Sequence, residues 1–123
     1  MTLAYACVLI AAFIPYVCAG IAKWGPGFDN AQPRVYLEAV EGYRRRAHWA
    51  QLNAFEMFPV FAAAVLIAHQ VEAPQRAIDA WAIGYVVARV LYVAAYLKDL
   101  ATLRSLVWIA ALGCVVALFI VAA

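Results

Sequence analysis

The side chains of this sequence best suited to chemistry fall on two short runs and at one loop boundary. Asn53 and Glu56 are three residues apart, so on a helix they share a face, whereas Gln51 and Asn53 diverge. Arg89, Tyr92 and Tyr96 follow one another at spacings of three and four, which puts a guanidinium and two phenols on one stripe. Arg104 comes shortly after Tyr96, and Arg46 precedes the Asn53 run. Arg46, Arg89 and Arg104 suit carboxylates, Glu56 suits an amine, and Asn53 and the phenols add neutral hydrogen bonds. That inventory fits a small zwitterion with excess negative charge, and a cation beside a thiol favours its thiolate. Each residue also has a plainer reading. Tyr96 suits a headgroup belt, Arg104 a snorkelling anchor, Asn53 a helix–helix contact, and Glu56 with Arg89 a structural ion pair. By the same logic Arg44, Arg45 and Arg46 are headgroup and topology residues, and His48, His69 and Gln70 are interfacial.

The elements that must carry these residues are apolar. Of the 123 residues, 69% are hydrophobic and 13% charged, far from the balance of a soluble domain. A net charge of +2 gives no ground for a nucleic-acid partner. The charges cluster and leave four apolar stretches, at about residues 2–22, 47–68, 77–97 and 105–123. Each approaches the ~20 helical residues that cross a hydrocarbon core of about 30 Å. Helix is also the only open-chain element that satisfies its own backbone in lipid. The expectation is therefore a single all-α domain, an integral membrane four-helix bundle. The first stretch lacks a basic start and has Pro15 at its middle, so it reads as a retained span, kinked at Pro15, and not as a signal peptide. Cys7, Cys18 and Cys114 all lie in apolar stretches, an arrangement that suggests neither a disulfide framework nor a metal site.

Orientation follows from Lys and Arg. The first connection holds Lys23, Arg34 and Arg44 to Arg46, the third holds Lys98 and Arg104, and the second has only Arg76. The positive-inside rule puts residues 23–46 and 98–104 in the cytoplasm, with both chain ends outside. The expected setting is a bacterial inner membrane. Asn53, Glu56, Arg89, Tyr92, Tyr96 and Arg104 then share the cytoplasmic half, and nothing comparable is expected in the other half.

Ala50, Gln51, Asn53, Glu56, Pro59 and Phe61 form the pattern A-Q-x-N-x-x-E-x-x-P-x-F. This segment resembles the second-span signature of the MAPEG family, the membrane-associated proteins of eicosanoid and glutathione metabolism. Ala88 to Tyr92, with Tyr96 and then Arg104, looks like that family's other signature. The resemblance covers the whole chain. It implies a homotrimer that binds glutathione between subunits near the cytosolic face, with no metal. Asn53, Glu56, Tyr92 and Tyr96 would be glutathione contacts, and Arg104 would match the arginine that activates the thiol. Lys23 falls near a basic position at the end of the first span. The sequence departs from the pattern at two places. Trp49 stands where an arginine commonly precedes the motif, with Arg46 one turn earlier as a substitute, and Met57 stands where a tyrosine often follows the glutamate.

Three functions follow. The first is a glutathione transferase or peroxidase acting on an apolar electrophile or lipid that arrives through the bilayer. The second, which Trp49 and Met57 favour, is a non-catalytic protein of the same fold that binds a lipid or partner. The third, a small multidrug exporter, conflicts with a first span that carries no carboxylate.

Overall fold

The apolar stretches form helices that outrun the hydrocarbon thickness, and their ends decide how they are joined. The computed structural model describes residues 1–123. Its elements are α1 (Leu3–Lys23), α2 (Pro33–Ala39), α3 (Tyr43–Gln70), α4 (Gln75–Leu97) and α5 (Ala101–Ala122). Four of the five are long and apolar enough to cross a membrane, as the charge clusters predict. The interior prolines do not break their helices: α1 runs on through Pro15 and α3 through Pro59.

Two boundaries differ from expectation: α5 starts at Ala101 and not at about residue 105, which puts Arg104 inside its first turn, and α3 starts ahead of residue 47. The segment before the second span divides, with α2 ending at Ala39 and α3 starting at Tyr43. Gly42 makes the break at φ 65°, a left-handed conformation that an L side chain rarely adopts. Arg44, Arg45 and Arg46 thus belong to the first turns of α3. The two short connections share a different device. Glu72 and Asp99 adopt left-handed φ of 56° and 58° just past α3 and α4. The next amide in each case reaches back, Ala73 N to Ala68 O at 3.0 Å and Leu100 N to Ala95 O at 2.8 Å. That is the Schellman closure, which satisfies carbonyls the helix end would otherwise strand.

The helices pack through small residues. On α3 the buried positions are Ala47, Ala50, Ala54, Met57, Phe61, Ala64, Val65 and Ala68, an alternation of three and four with mostly alanine on it. On α1 the buried stripe is Ala4, Cys7, Ala11, Pro15, Cys18, Ala19 and Ala22. Such stripes let backbones approach closely where hydrocarbon offers no hydrophobic drive for association. α1 packs mainly on α3, and α4 mainly on α5. The main core gathers Phe61, Ile78, Tyr85 and Leu118 around this alanine frame, with Phe61 and Tyr85 stacked at 3.8 Å between ring centroids. Large apolar side chains such as Phe13, Val17, Leu66, Leu106 and Ile120 point outward. Only 28 of 123 residues are buried, so lipid or neighbouring copies must cover the rest, the reverse of a soluble bundle.

Candidate functional site

Toward the end of the bundle that carries the basic segments, two adjoining cavities open on its side. One, of about 490 Å³, is lined by Trp49, Leu52, Asn53, Glu56, Tyr92 and Tyr96. The other, of about 310 Å³, is lined by Asn53, Tyr92, Arg104, Ser105, Trp108 and Ile109. They share Asn53 and Tyr92 and form one cleft between α3 and α5, with Tyr92 of α4 as its floor. A larger cavity, about 550 Å³, lies between α1 and α4, but all ten residues lining it are hydrophobic. It offers a ligand no polar anchor.

The cleft's walls are held by aromatic and cationic contacts. The Arg104 guanidinium lies 4.6 Å from the Tyr96 ring centroid. Tyr96 meets Tyr92 edge-on at 5.5 Å and Trp49 at 6.3 Å. Below them Arg89 lies 4.2 Å from the Tyr92 ring. Such contacts orient planar groups at modest energy, about 0.5–2 kcal/mol each. Asn53 Nδ2 donates to Glu56 Oε2 at 3.4 Å, while the buried Asn53 Oδ1 has no partner. That carbonyl would meet a ligand's N–H only if the Asn53 amide turned toward the cleft, and Glu56 stands exposed one turn along. Five of the seven sequence candidates therefore meet here: Asn53, Glu56, Tyr92, Tyr96 and Arg104. Trp108 and Ser105 were not foreseen, although Trp108, four residues on from Arg104, falls on its side of a helix.

The other two candidates sit elsewhere. Arg89 is 1% exposed and lines neither cavity. Its Nη1 points to Met57 Sδ at 3.1 Å, and its Nη2 has no partner. The expected Glu56–Arg89 ion pair is not made, because Glu56 and Met57 are adjacent on α3 and turn opposite ways: Glu56 outward and Met57 into the bundle. Arg46 is a helix cap, its Nη2 donating to Leu97 O at 3.0 Å. Its neighbours do the same for two other helix ends, Arg44 Nε to Ala22 O at 3.2 Å and Arg45 Nε to Val40 O at 2.8 Å. The three arginines thus close the C-termini of α4, α1 and α2, where carbonyls lack partners and the helix dipole is negative. A Cβ on Gly25 would lie 2.5 Å from Arg44 Cζ, so glycine is what lets that guanidinium reach its carbonyl. These arginines organise the fold and are more than headgroup anchors.

The opposite end also departs from expectation, since it carries a polar network. His69 Nδ1 donates to Val65 O at 2.8 Å, which leaves Nε2 to accept from the Thr2 hydroxyl at 3.0 Å. Thr2 Oγ1 in turn accepts from Tyr5 N at 3.2 Å, and the Tyr5 ring stacks on His69 at 4.0 Å. Asp79 Oδ1 accepts from Ala4 N at 3.0 Å and from Gln75 Nε2 at 2.8 Å. Thr2 and Asp79 together cap the first turn of α1. The partners that tie His69 to α1, Thr2 and Tyr5, lie at the far end of the chain, which is why spacing around His69 gave no sign of them.

The fold and its cleft define a class: an integral, multi-pass, all-α membrane bundle with a polar recess near its basic end. Within that class the sequence profile of the MAPEG family matches residues 3–123, and the chain belongs to that family, which includes glutathione transferases and related proteins. A direct search among curated proteins found no match.

Proposed function

We propose that the protein is a glutathione-dependent membrane transferase or peroxidase that binds glutathione in the α3–α5 cleft. The observation that carries this reading is the convergence of Asn53, Glu56, Tyr92, Tyr96 and Arg104 on one recess. Glutathione offers an amine for Glu56, amides for Asn53, carboxylates for a cation and a thiol. Arg104 has Tyr96 against its guanidinium and no hydrogen bond within the chain that would divert it. A guanidinium is no base for the thiol proton, which leaves to water; the role of Arg104 is to hold the resulting thiolate by charge. The thiolate sulfur then bonds to an electrophilic carbon delivered from the bilayer, and a leaving group departs with the electron pair.

The cleft is open on its lipid-facing side, which supports closure by a neighbouring copy in a homotrimer. A third cavity, of about 490 Å³ under α2, presents Lys23, Arg34, His48 and Gln51, with Glu38 as its one carboxylate. Laid over the next subunit's cleft, that corner would supply cations for glutathione's carboxylates. The basic segments face the cytoplasm in this reading, as in a bacterial inner membrane. A second reading, binding without turnover, is favoured by Trp49, which fills the cleft wall where an arginine would contact a ligand.

The deciding experiment titrates purified protein with glutathione and follows thiolate absorbance, with mass determination in the same detergent. The expected result is a saturable thiolate signal from a trimer. Saturable binding without thiolate or turnover favours the second reading, and a monomer that binds nothing rejects both.

A further inference from the structure

Arg89 is the most anomalous residue in the molecule. Its guanidinium is 1% exposed in a membrane-spanning helix and has no carboxylate among its partners. Against it lie a thioether sulfur at 3.1 Å and the face of Tyr92 at 4.2 Å, with Tyr85 and Cys18 close by, and its Nη2 has no acceptor. A thioether is a weak acceptor and a ring face offers only a quadrupole. No carboxylate therefore balances the positive charge. In a low-dielectric interior such a charge acts over a longer range than it would in water.

That charge lies next to the cleft. Tyr92, against which Arg89 packs, lines both cavities, so one aromatic ring separates the guanidinium from the ligand space. Arg89 cannot touch a ligand there, but its field reaches one. We infer that Arg89 is a specificity-determining residue that acts through Tyr92, giving the cleft a standing positive potential that selects an anionic group such as a thiolate or carboxylate over its neutral counterpart. The exposed carboxylate of Glu56 at the cleft's outer edge then takes the cationic end of the same ligand, which fixes its direction of entry. The inference deepens the proposed function and rests on the cleft being the ligand site.

A residue with this role should cost stability where a structural one would supply it, because a buried unpaired charge is unfavourable and a neutral replacement relieves it. The test compares Arg89→Gln and Arg89→Lys in a Trp24→Phe/Trp81→Phe background, which leaves Trp49 and Trp108, both lining the cleft, as the only tryptophans. Quenching of their fluorescence by iodide, relative to neutral acrylamide, reads the local potential with no assumption about the ligand. Arg89→Gln should lower that ratio about threefold or more, at a thermal midpoint no lower than that of Arg89. Arg89→Lys should retain most of the ratio. With glutathione, Arg89→Gln should raise the pH midpoint of the thiolate signal by about one unit, a tenfold loss of thiolate at fixed pH. An unchanged iodide ratio overturns the inference, and so does a Gln variant that loses its fold or melts earlier, since either makes Arg89 structural. If the unaltered protein binds no glutathione and the iodide ratio still falls, the proposed function fails while the anion-selecting role of Arg89 stands.

Discussion

The two ends of the bundle treat their polar residues in opposite ways. At the end holding Thr2, His69, Gln75 and Asp79, the hydrogen bonds form a closed set within the chain. At the basic end, Asn53 Oδ1, Arg46 Nε, Arg89 Nη2 and Arg44 Nη2 are buried with no partner at all. All four of the chain's buried orphan atoms lie in that half. Burying a polar group unpaired costs about 1–3 kcal/mol, and a protein can leave such groups only where something else completes them or where their charge is wanted. One end satisfies its own polar groups and the other does not, which is the pattern expected if the basic end holds a ligand, as proposed.

The comparison breaks most visibly at Arg104. Under the proposed function, Arg104→Ala removes the charge that holds the thiolate and should lower turnover about a hundredfold or more, the size of effect seen when a preorganised electrostatic group is deleted. Conjugation of a generic apolar electrophile, assayed beside glutathione binding, checks this. Binding should fall much less, because the carboxylates are held by other cations. Unchanged conjugation rejects Arg104 as the activating group.

A smaller effect is expected at Glu56. It is exposed, and its one hydrogen bond is the 3.4 Å contact from Asn53. Glu56→Gln should therefore shift stability by no more than about 0.5 kcal/mol. It should weaken glutathione about tenfold, the loss of one charge-assisted hydrogen bond to the amine. Thermal melting and equilibrium binding measure the two separately. A marked fall in stability with affinity intact would restore the structural pairing of Glu56 that the geometry argues against.

The fold was largely legible in the sequence because the bilayer dictates it. Four apolar stretches of about 20 residues admit one solution, and the helices observed differ from those stretches chiefly where α3 and α5 begin early, at Tyr43 and Ala101. The site was legible where it depends on spacing within one helix: Asn53 with Glu56, and Tyr92 with Tyr96. It was not legible where it depends on rotation between helices. Spacing put Arg89 on the stripe of Tyr92, but only packing shows that the stripe's inner edge faces Met57 and its outer edge the cleft. The arginine triplet reads as topology by composition, yet its members reach the ends of α1, α2 and α4, contacts 5 to 51 residues away in sequence. The His69 network spans 67 residues between Thr2 and His69 and left no local pattern to read.

The smallest expected effect lies at that closed end, and it tests whether the two ends are independent. Asp79 caps α1 from a different helix, through Ala4 N at 3.0 Å, and also holds Gln75. Asp79→Asn keeps an acceptor oxygen but removes the negative charge opposite the positive end of the α1 dipole, which should cost about 0.3–1 kcal/mol. Asp79→Ala removes the acceptor too and should cost about 1–2 kcal/mol, the usual loss for an N-cap. Thermal melting in one detergent ranks the pair, and hydrogen exchange should show the excess opening confined to the first turn of α1. Neither substitution should alter glutathione affinity, because Asp79 and the cleft lie at opposite ends of the bundle and share no side-chain contact. An affinity loss at Asp79→Ala comparable to that at Glu56→Gln would mean that the fit of α1 against α3 and α4 sets the cleft's shape, and the closed end would then be part of the site's support instead of a separate anchor.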